Sequence, residues 1–131
     1  MFAFESMFQK LYQVIARAFR PRQRQLRLAA GEEEVRLFAE GREVWCFRWD
    51  EVVRIETYKR DIFSMDLVCL DFFIVSREVP CRTHEDMQGF PELRECMQRQ
   101  LSSISESWWQ QVASPPFATN HMVLYDRNAV A

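Results

Sequence analysis

Residues 65–75 form the longest apolar run of the chain, and their Val, Ile and Phe content favours a β-strand over a helix. Side chains alternate across a strand. One face carries Val68, Leu70, Phe72 and Ile74, and the other carries Leu67, Cys69, Asp71, Phe73 and Val75. Because both faces are largely apolar, we expect this central strand to be covered on both sides, by a second sheet and by a helix.

The length and composition indicate one domain spanning residues 1–131. A chain of 131 residues can bury enough apolar surface to fold without metals or disulfides. Hydrophobic residues make up 48% of the chain and aromatic residues 14%, which excludes an intrinsically disordered chain.

Charge is distributed unevenly, although the net charge is only -2 and gives no overall attraction to nucleic acid or to an anionic membrane. Residues 1–27 contain six basic residues and one acidic residue, whereas residues 28–131 contain 11 basic and 18 acidic residues. The start of the chain is therefore basic and its body acidic.

The four cysteines, Cys46, Cys69, Cys81 and Cys96, form no CxxC pair, so we expect buried, reduced thiols and a reducing compartment. No apolar run approaches the roughly 18 to 20 residues that span a bilayer. The N-terminus lacks the order of a signal peptide, because charged and amide residues interrupt its apolar positions. These features predict a cytoplasmic location.

The spacing of apolar residues predicts an amphipathic N-terminal helix over residues 1–20, ended by Pro21. Its stripe consists of Phe4, Phe8, Leu11, Ile15 and Phe19. Packing on the second face of the central strand is the favoured interpretation. The alternative is docking in a membrane interface. The membrane-binding residues would then be Phe4, Phe8, Arg17, Arg20 and Arg22.

Residues 25–83 show the alternation and turn signals of antiparallel strands, six in number. Turns are predicted at Gly31 and at Glu40–Arg42, and Trp45, Phe47 and Trp49 share one strand face. Pro80 has no N–H for a ladder, so the run 78–82 is predicted to be an edge strand or to contain a strand end.

A helical period replaces the strand period over residues 90–114. Pro91 suits a first helical position, and Leu93, Cys96, Met97 and Leu101 line one face. Ser103 and Glu106 have the spacing of a capping box and predict a second helical turn, whose adjacent Trp108 and Trp109 cannot both point inward. The tail 115–131 begins with two prolines, and its residues 122–125 either add a strand or lie on the core.

The element order predicts an α+β fold, a strongly bent antiparallel sheet or split barrel closed by the C-terminal helix. Residues 44–101 resemble the bacterial pleckstrin-homology-like (PH-like) domains. The resemblance lies in Trp49-Asp50 before Val52-Val53-Arg54-Ile55, and in Gly89-Phe90 before the closing helix. It implies a non-catalytic binding or scaffold role with no specific ligand.

The sequence has few residues that could bind a metal or catalyse a reaction, and they do not form a complete set of ligands or catalytic groups. Cys81 and His84 have the spacing of half a zinc site without further ligands, so a polar turn is favoured. Cysteine catalysis would need His84 or His121 against an accessible thiol. The glycine patterns of phosphate-binding loops are absent, and base stacking would need a basic field around the aromatic residues. We therefore expect no metal, no cofactor, no catalytic residues and no nucleic-acid partner.

The densest charged cluster beside an aromatic residue is the candidate partner-binding site. It consists of Tyr58, Lys59, Arg60, Asp61 and Asp66. This cluster can be interpreted in two ways: as a solvated loop at the end of the sheet, or as the rim of an interface that a partner contacts. An anionic head group is disfavoured on the first hairpin, because Glu32–Glu34 carry like charge.

Two functional hypotheses follow. The first is a non-catalytic cytoplasmic protein-binding module, either a toxin-neutralising (immunity) protein, that is an antitoxin of a bacterial host, or an adaptor. Its acidic body would select a basic partner surface. The alternative is a peripheral membrane domain that uses the basic amphipathic helix. An enzyme is disfavoured, because no matched acid, base and nucleophile set is visible.

Overall fold

A computed structural model describes residues 25–62, 65–116 and 118–129. The strands are β1 (Leu26–Ala30), β2 (Glu34–Ala39), β3 (Arg42–Arg48), β4 (Val52–Ile62), β5 (Met65–Ile74), β6 (Cys81–His84) and β7 (Met122–Asp126). The helices are α1 (Phe90–Gln100) and α2 (Trp108–Ala113), both between β6 and β7. Short 3-10 turns cover Trp49–Glu51 and Arg127–Ala129.

The strands form two antiparallel sheets, one with the order β1-β2-β3 and one with the order β6-β5-β4-β7. β5 pairs with β4 along its whole length and with β6 on its other edge. The predicted central strand is therefore confirmed, and so is the α+β class. The strands of the described ranges remain two sheets and do not close into a barrel.

The hairpin between β2 and β3 turns at the place that the sequence predicts. Glu40 and Gly41 both have positive φ, 52° and 80°. Two consecutive positive φ values are typical of the type I′ turn, whose twist matches that of paired strands. The predicted turn at Glu40–Arg42 is confirmed.

The main core lies between the two sheets and is built from one face of each. The Phe47 ring stacks on the Phe72 ring with centroids 5.0 Å apart, and Trp49 meets Phe72 edge-on at 6.0 Å. The β5 side chains Val68, Leu70, Phe72 and Ile74 all belong to this cluster. Trp45, Phe47 and Trp49, which were predicted to share one strand face, all belong to this core.

Backbone hydrogen bonds of Gln88, which lies just before helix α1, connect this helix to the edge of β1. Leu28 N donates to Gln88 O at 2.7 Å, and Gln88 N donates to Leu26 O at 3.3 Å. Gly89 follows with φ 90°, and Phe90 and Pro91 occupy the first turn. The buried face of α1, namely Phe90, Leu93, Cys96 and Met97, joins the main core.

Two sequence predictions need correction. The run 78–82 is a strand only from Cys81 onward, because Pro80 lacks the N–H that a ladder requires, although this strand, β6, does lie at the edge of its sheet. Ser103 and Glu106 do not start a helix; α2 begins after Ser107, and the segment 90–114 is two helices separated by a connection that buries Ile104. Of the two placements left open for residues 122–125, the strand is the one observed, because they lie in β7, which pairs with β4.

The predicted N-terminal helix, residues 1–20, lies outside the described residues, together with its candidate lipid contacts Phe4, Phe8, Arg17, Arg20 and Arg22. Within the described ranges, no helix has the length and hydropathy needed to cross a bilayer.

Candidate functional site

The predicted partner-binding cluster is divided by the alternation of β4. The Lys59 side chain points to the core side and only 4% of the residue is exposed. Its Nζ donates to Ala113 O at 3.0 Å and to Pro115 O, and lies 3.4 Å from Asp66 Oδ2. Lys59 therefore anchors the C-terminal end of α2 and presents no charge at the surface.

The neighbouring Tyr58 lies on the opposite side of the sheet and is half-buried. Arg60 and Asp61 are exposed near the β4–β5 turn, and Asp66 is half-buried beside Lys59. Of the five predicted residues, Arg60 and Asp61 alone have the exposure that a partner contact needs.

The side of the second sheet that points away from the first sheet, here called the outer face, carries a polar network. The residues of this outer face are Glu56, Tyr58 and Arg60 of β4, Leu67, Cys69 and Asp71 of β5, and Arg82 and His84 of β6. Tyr58 OH donates to Asp71 Oδ1 at 3.2 Å, and Arg82 Nε lies 3.7 Å from Asp71 Oδ2. Burial raises the pKa of Asp71, against the opposing effect of Arg82, and raises the pKa of Tyr58 to about 12.

The raised pKa of Asp71 predicts a pH dependence of stability. A carboxyl group whose pKa is higher in the folded than in the unfolded state contributes most stability below its unfolded value, about 3.9, and loses that contribution as the pH rises through the folded value. We therefore expect the free energy of unfolding of the wild type, relative to Asp71→Asn, to fall as the pH increases above about 4. Urea unfolding at a series of pH values measures this difference.

The exposed Asp61→Asn serves as the matched control, since it removes the same charge near the β4–β5 turn. A wild type that gains stability over Asp71→Asn with rising pH would contradict the prediction. Tyr58 and Arg82 would then stabilise the charged carboxylate by more than burial destabilises it.

A cleft beside α1 is the candidate functional site. Its volume is about 350 Å³, and its lining consists of Pro91, Arg94, Glu95, Gln98, Glu106 and Trp108. Gln98 Nε2 donates to Ile104 O at 2.6 Å and so fixes the α1–α2 connection against α1. This hydrogen bond therefore holds in place the wall of the cleft that the α1–α2 connection provides.

Arg94 is stacked on both neighbouring indole rings. Its guanidinium carbon lies 3.7 Å from the Trp109 ring centroid and 5.5 Å from that of Trp108, and the two rings meet edge-on. Arg94 Nε is buried and has no hydrogen-bond partner among the described residues. Burial lowers the pKa of Arg94, against the opposing effect of the Glu85 carboxylate. Cation–π contacts with the Trp108 and Trp109 rings therefore stabilise the Arg94 guanidinium in this position.

Two carboxylates face the cleft without a partner in the described part of the chain. Glu95 belongs to α1 and Glu106 to the α1–α2 connection, and both are exposed. With Arg94 as the single cation of the lining, the cleft has an excess of negative charge. A partner's lysine or arginine is the side chain that such a site attracts.

Sequence reasoning missed this cleft, although part of its signal was present. Leu93 and Cys96 were placed on the buried face of the helix, which leaves Arg94, Glu95 and Gln98 on other faces. Glu106 was assigned to a capping box, and the two adjacent tryptophans were expected not to point inward together. Trp108 is indeed buried, whereas Trp109 is partly exposed and covered by Arg94.

Cys81 and His84, which have the spacing of half a zinc site, lie on opposite sides of the second sheet. Cys81 faces the core whereas His84 lies on the outer face, and no group of three or more potential ligands occurs among the described residues. Burial raises the pKa of Cys69 and of Cys81 to about 11. Cys46 is exposed, contrary to the expectation of a buried thiol, and its pKa is also raised by partial burial and by Glu34.

Comparison of the chain with known proteins returned no match, whether against protein-family models, curated proteins or solved structures.

Proposed function

We propose that this chain is a non-catalytic protein-binding module, a toxin-neutralising or adaptor protein, and that it contacts a basic partner surface through the cleft beside α1. The observation that carries the proposal is an aromatic wall, Trp108 with the Arg94 guanidinium beside it, in the same cleft as two carboxylates, Glu95 and Glu106, that have no partner among the described residues. Tryptophan and arginine dominate the binding energy of many interfaces.

A basic side chain fits the cleft by shape as well as by charge. A volume of about 350 Å³ lies at the small end of ligand-sized pockets, enough for one long side chain. The aliphatic part of a lysine or arginine can pack along Trp108, while its charged end reaches Glu95 or Glu106. Arg94 is already turned onto Trp109, and its charge is partly balanced by Glu85.

The proposal is tested by selecting random seven-residue peptides displayed on phage against three forms of the full chain. These are the wild type, the double variant Glu95→Lys/Glu106→Lys, and the control Glu32→Lys/Glu78→Lys, which makes the same charge change at exposed sites outside the cleft. We expect lysine and arginine to be enriched on the wild type and on the control. The double variant should lose that enrichment by at least about tenfold, because each carboxylate contact is worth roughly 1 kcal/mol.

Equal enrichment of basic peptides on all three forms would contradict the assignment of the cleft. So would peptides without basic residues that bind the wild type and the double variant alike.

The finer fold assignment is also a proposal. We infer a PH-like architecture from the antiparallel meander that turns from the first sheet into the second at Trp49–Glu51, and from the helix that Gly89-Phe90 introduces. The return of β7 to pair with β4 after both helices departs from the expected order.

The free thiols of Cys46, Cys69, Cys81 and Cys96 support the proposed cytoplasmic location.

A further inference from the structure

The Arg94 guanidinium in the cleft beside α1 lacks the acceptors that such a group needs. A guanidinium has five N–H donors. Arg94 Nε is buried and has no hydrogen-bond partner among the described residues. The Glu85 carboxylate acts on Arg94 through its charge, while Glu85 Oε1 accepts a hydrogen bond from Val68 N at 2.9 Å. Arg94 therefore brings donors into the cleft that the described part of the chain does not use.

The contacts of Arg94 with the indole rings leave these donors free. The N–H bonds lie in the plane of the guanidinium, whereas stacking on an aromatic ring uses the face of the group. The guanidinium carbon lies 3.7 Å from the Trp109 ring centroid, close to van der Waals contact. The rings therefore fix the position of the guanidinium, and its terminal N–H groups can still bind a ligand, because Arg94 is half-buried and lines the cleft.

A carboxylate is the acceptor that best matches this group, because arginine binds it through two parallel N–H···O bonds. Glu95 and Glu106 do not supply these bonds, since neither forms an ion pair with Arg94 or with any other described residue. The cleft therefore offers a place for a carboxylate beside the two carboxylates that attract a cation.

A ligand with both charges has to be small at the point of contact. A volume of about 350 Å³ holds about one residue. A lysine or arginine at the end of a chain carries both charges, whereas inside a chain its α-carboxylate is an uncharged peptide group. Glu95 and Glu106 are exposed, so the cleft does not enclose a free amino acid as pockets for small ligands do. An end residue carried by a larger partner fits this open site better.

Building on the proposed function, we propose that the cleft binds the C-terminal lysine or arginine of the partner. The basic side chain lies against Glu95 or Glu106, and the α-carboxylate receives the N–H groups of Arg94. Arg94 is then a specificity-determining residue, because it distinguishes the free end of a chain from a basic residue within it.

The test measures, by fluorescence anisotropy, how the full chain binds N-terminally labelled pentapeptides of alanine and serine that differ at their last residue. One ends in lysine with a free α-carboxylate, one in lysine α-amide, and one in glutamine with a free α-carboxylate; a parallel series has arginine in place of lysine. We expect the basic acid to bind at least about tenfold more tightly than the amide or the glutamine peptide. Charge attraction alone would favour the amide, since it has one negative charge fewer and the cleft has an excess of negative charge.

Variants separate the two halves of the site. Arg94→Met removes the donors and should abolish the preference for the acid over the amide. Arg99→Met is the matched control and should retain this preference, because Arg99 is an exposed arginine of the same helix outside the lining of the cleft. Glu95→Gln/Glu106→Gln should instead abolish the preference for the basic peptides over the glutamine peptide.

Equal binding of acid and amide by the wild type would overturn recognition of the C-terminus, and this result does not depend on whether Arg94→Met folds. A remaining preference for lysine or arginine over glutamine would then leave the proposed function in place. Equal binding of the basic and glutamine peptides would overturn both proposals.

Free lysine is the competing ligand, because it carries the same side chain and α-carboxylate. Its α-ammonium would lie beside Arg94, so we expect it to displace the labelled lysine peptide only at concentrations at least about tenfold above those of the unlabelled peptide. Equal displacement would mean that the cleft binds a free amino acid, and would overturn its assignment to the end of a partner chain.

Discussion

Gly89→Ala should destabilise the fold by about 3 kcal/mol or more, the largest effect that we expect from a single methyl group in this chain. Gly89 has φ 90°, and a Cβ at this position would lie 2.2 Å from the backbone oxygen of Leu28. The backbone would have to move away from β1, which would break the hydrogen bonds of Gln88 and separate α1 from the first sheet. Urea unfolding followed by tryptophan fluorescence measures the change.

Gly41→Ala is the matched control, because it isolates the cost of positive φ. Gly41 has φ 80°, and a Cβ there would have no atom within 4 Å. We expect this variant to lose only about 1 kcal/mol. Similar losses in both variants would contradict the close approach of α1 and β1.

Lys59→Met should destabilise the fold by about 3 kcal/mol, because it removes a buried cation while its acceptors stay in place. The Ala113 and Pro115 carbonyl oxygens would lose their common donor, and Asp66 its ion pair. Amide hydrogen exchange should accelerate most in α2 and in the segment that leads to β7.

Arg60→Met is the control for charge alone, since Arg60 is the next residue along β4 and is exposed. We expect it to leave both stability and the exchange of α2 nearly unchanged. Equal effects of the two substitutions would mean that Lys59 does not anchor the end of α2.

The sheet architecture was predictable because burial imposes a pattern on the sequence. Residues 65–75 are apolar on both faces, and β5 lies between β4 and β6 with one face against the first sheet. The turn at Glu40–Arg42 was also predictable, because a glycine follows the strand pattern there and Gly41 has positive φ. Only local composition was required in both cases.

The candidate site was not predictable in the same way, because its residues are brought together by tertiary contacts. Lys59 looked like a surface charge, and only its long-range hydrogen bonds to Ala113 and Pro115 reveal a buried anchor. The stacking of Arg94 on Trp109 depends on the angle between α1 and α2, which no spacing encodes. The separation of the two helices at residues 101–107 is likewise set by the burial of Ile104.

The binding role of the cleft is tested most directly by the four indole N–H resonances of the isotopically labelled full chain. The titrant is a basic peptide enriched on the wild type. We expect the signals of Trp108 and Trp109 to move during the titration, while those of Trp45 and Trp49, buried between the sheets, stay in place. Movement of Trp45 or Trp49 without Trp108 and Trp109, or no movement of any indole signal, would contradict the cleft as the partner-binding site.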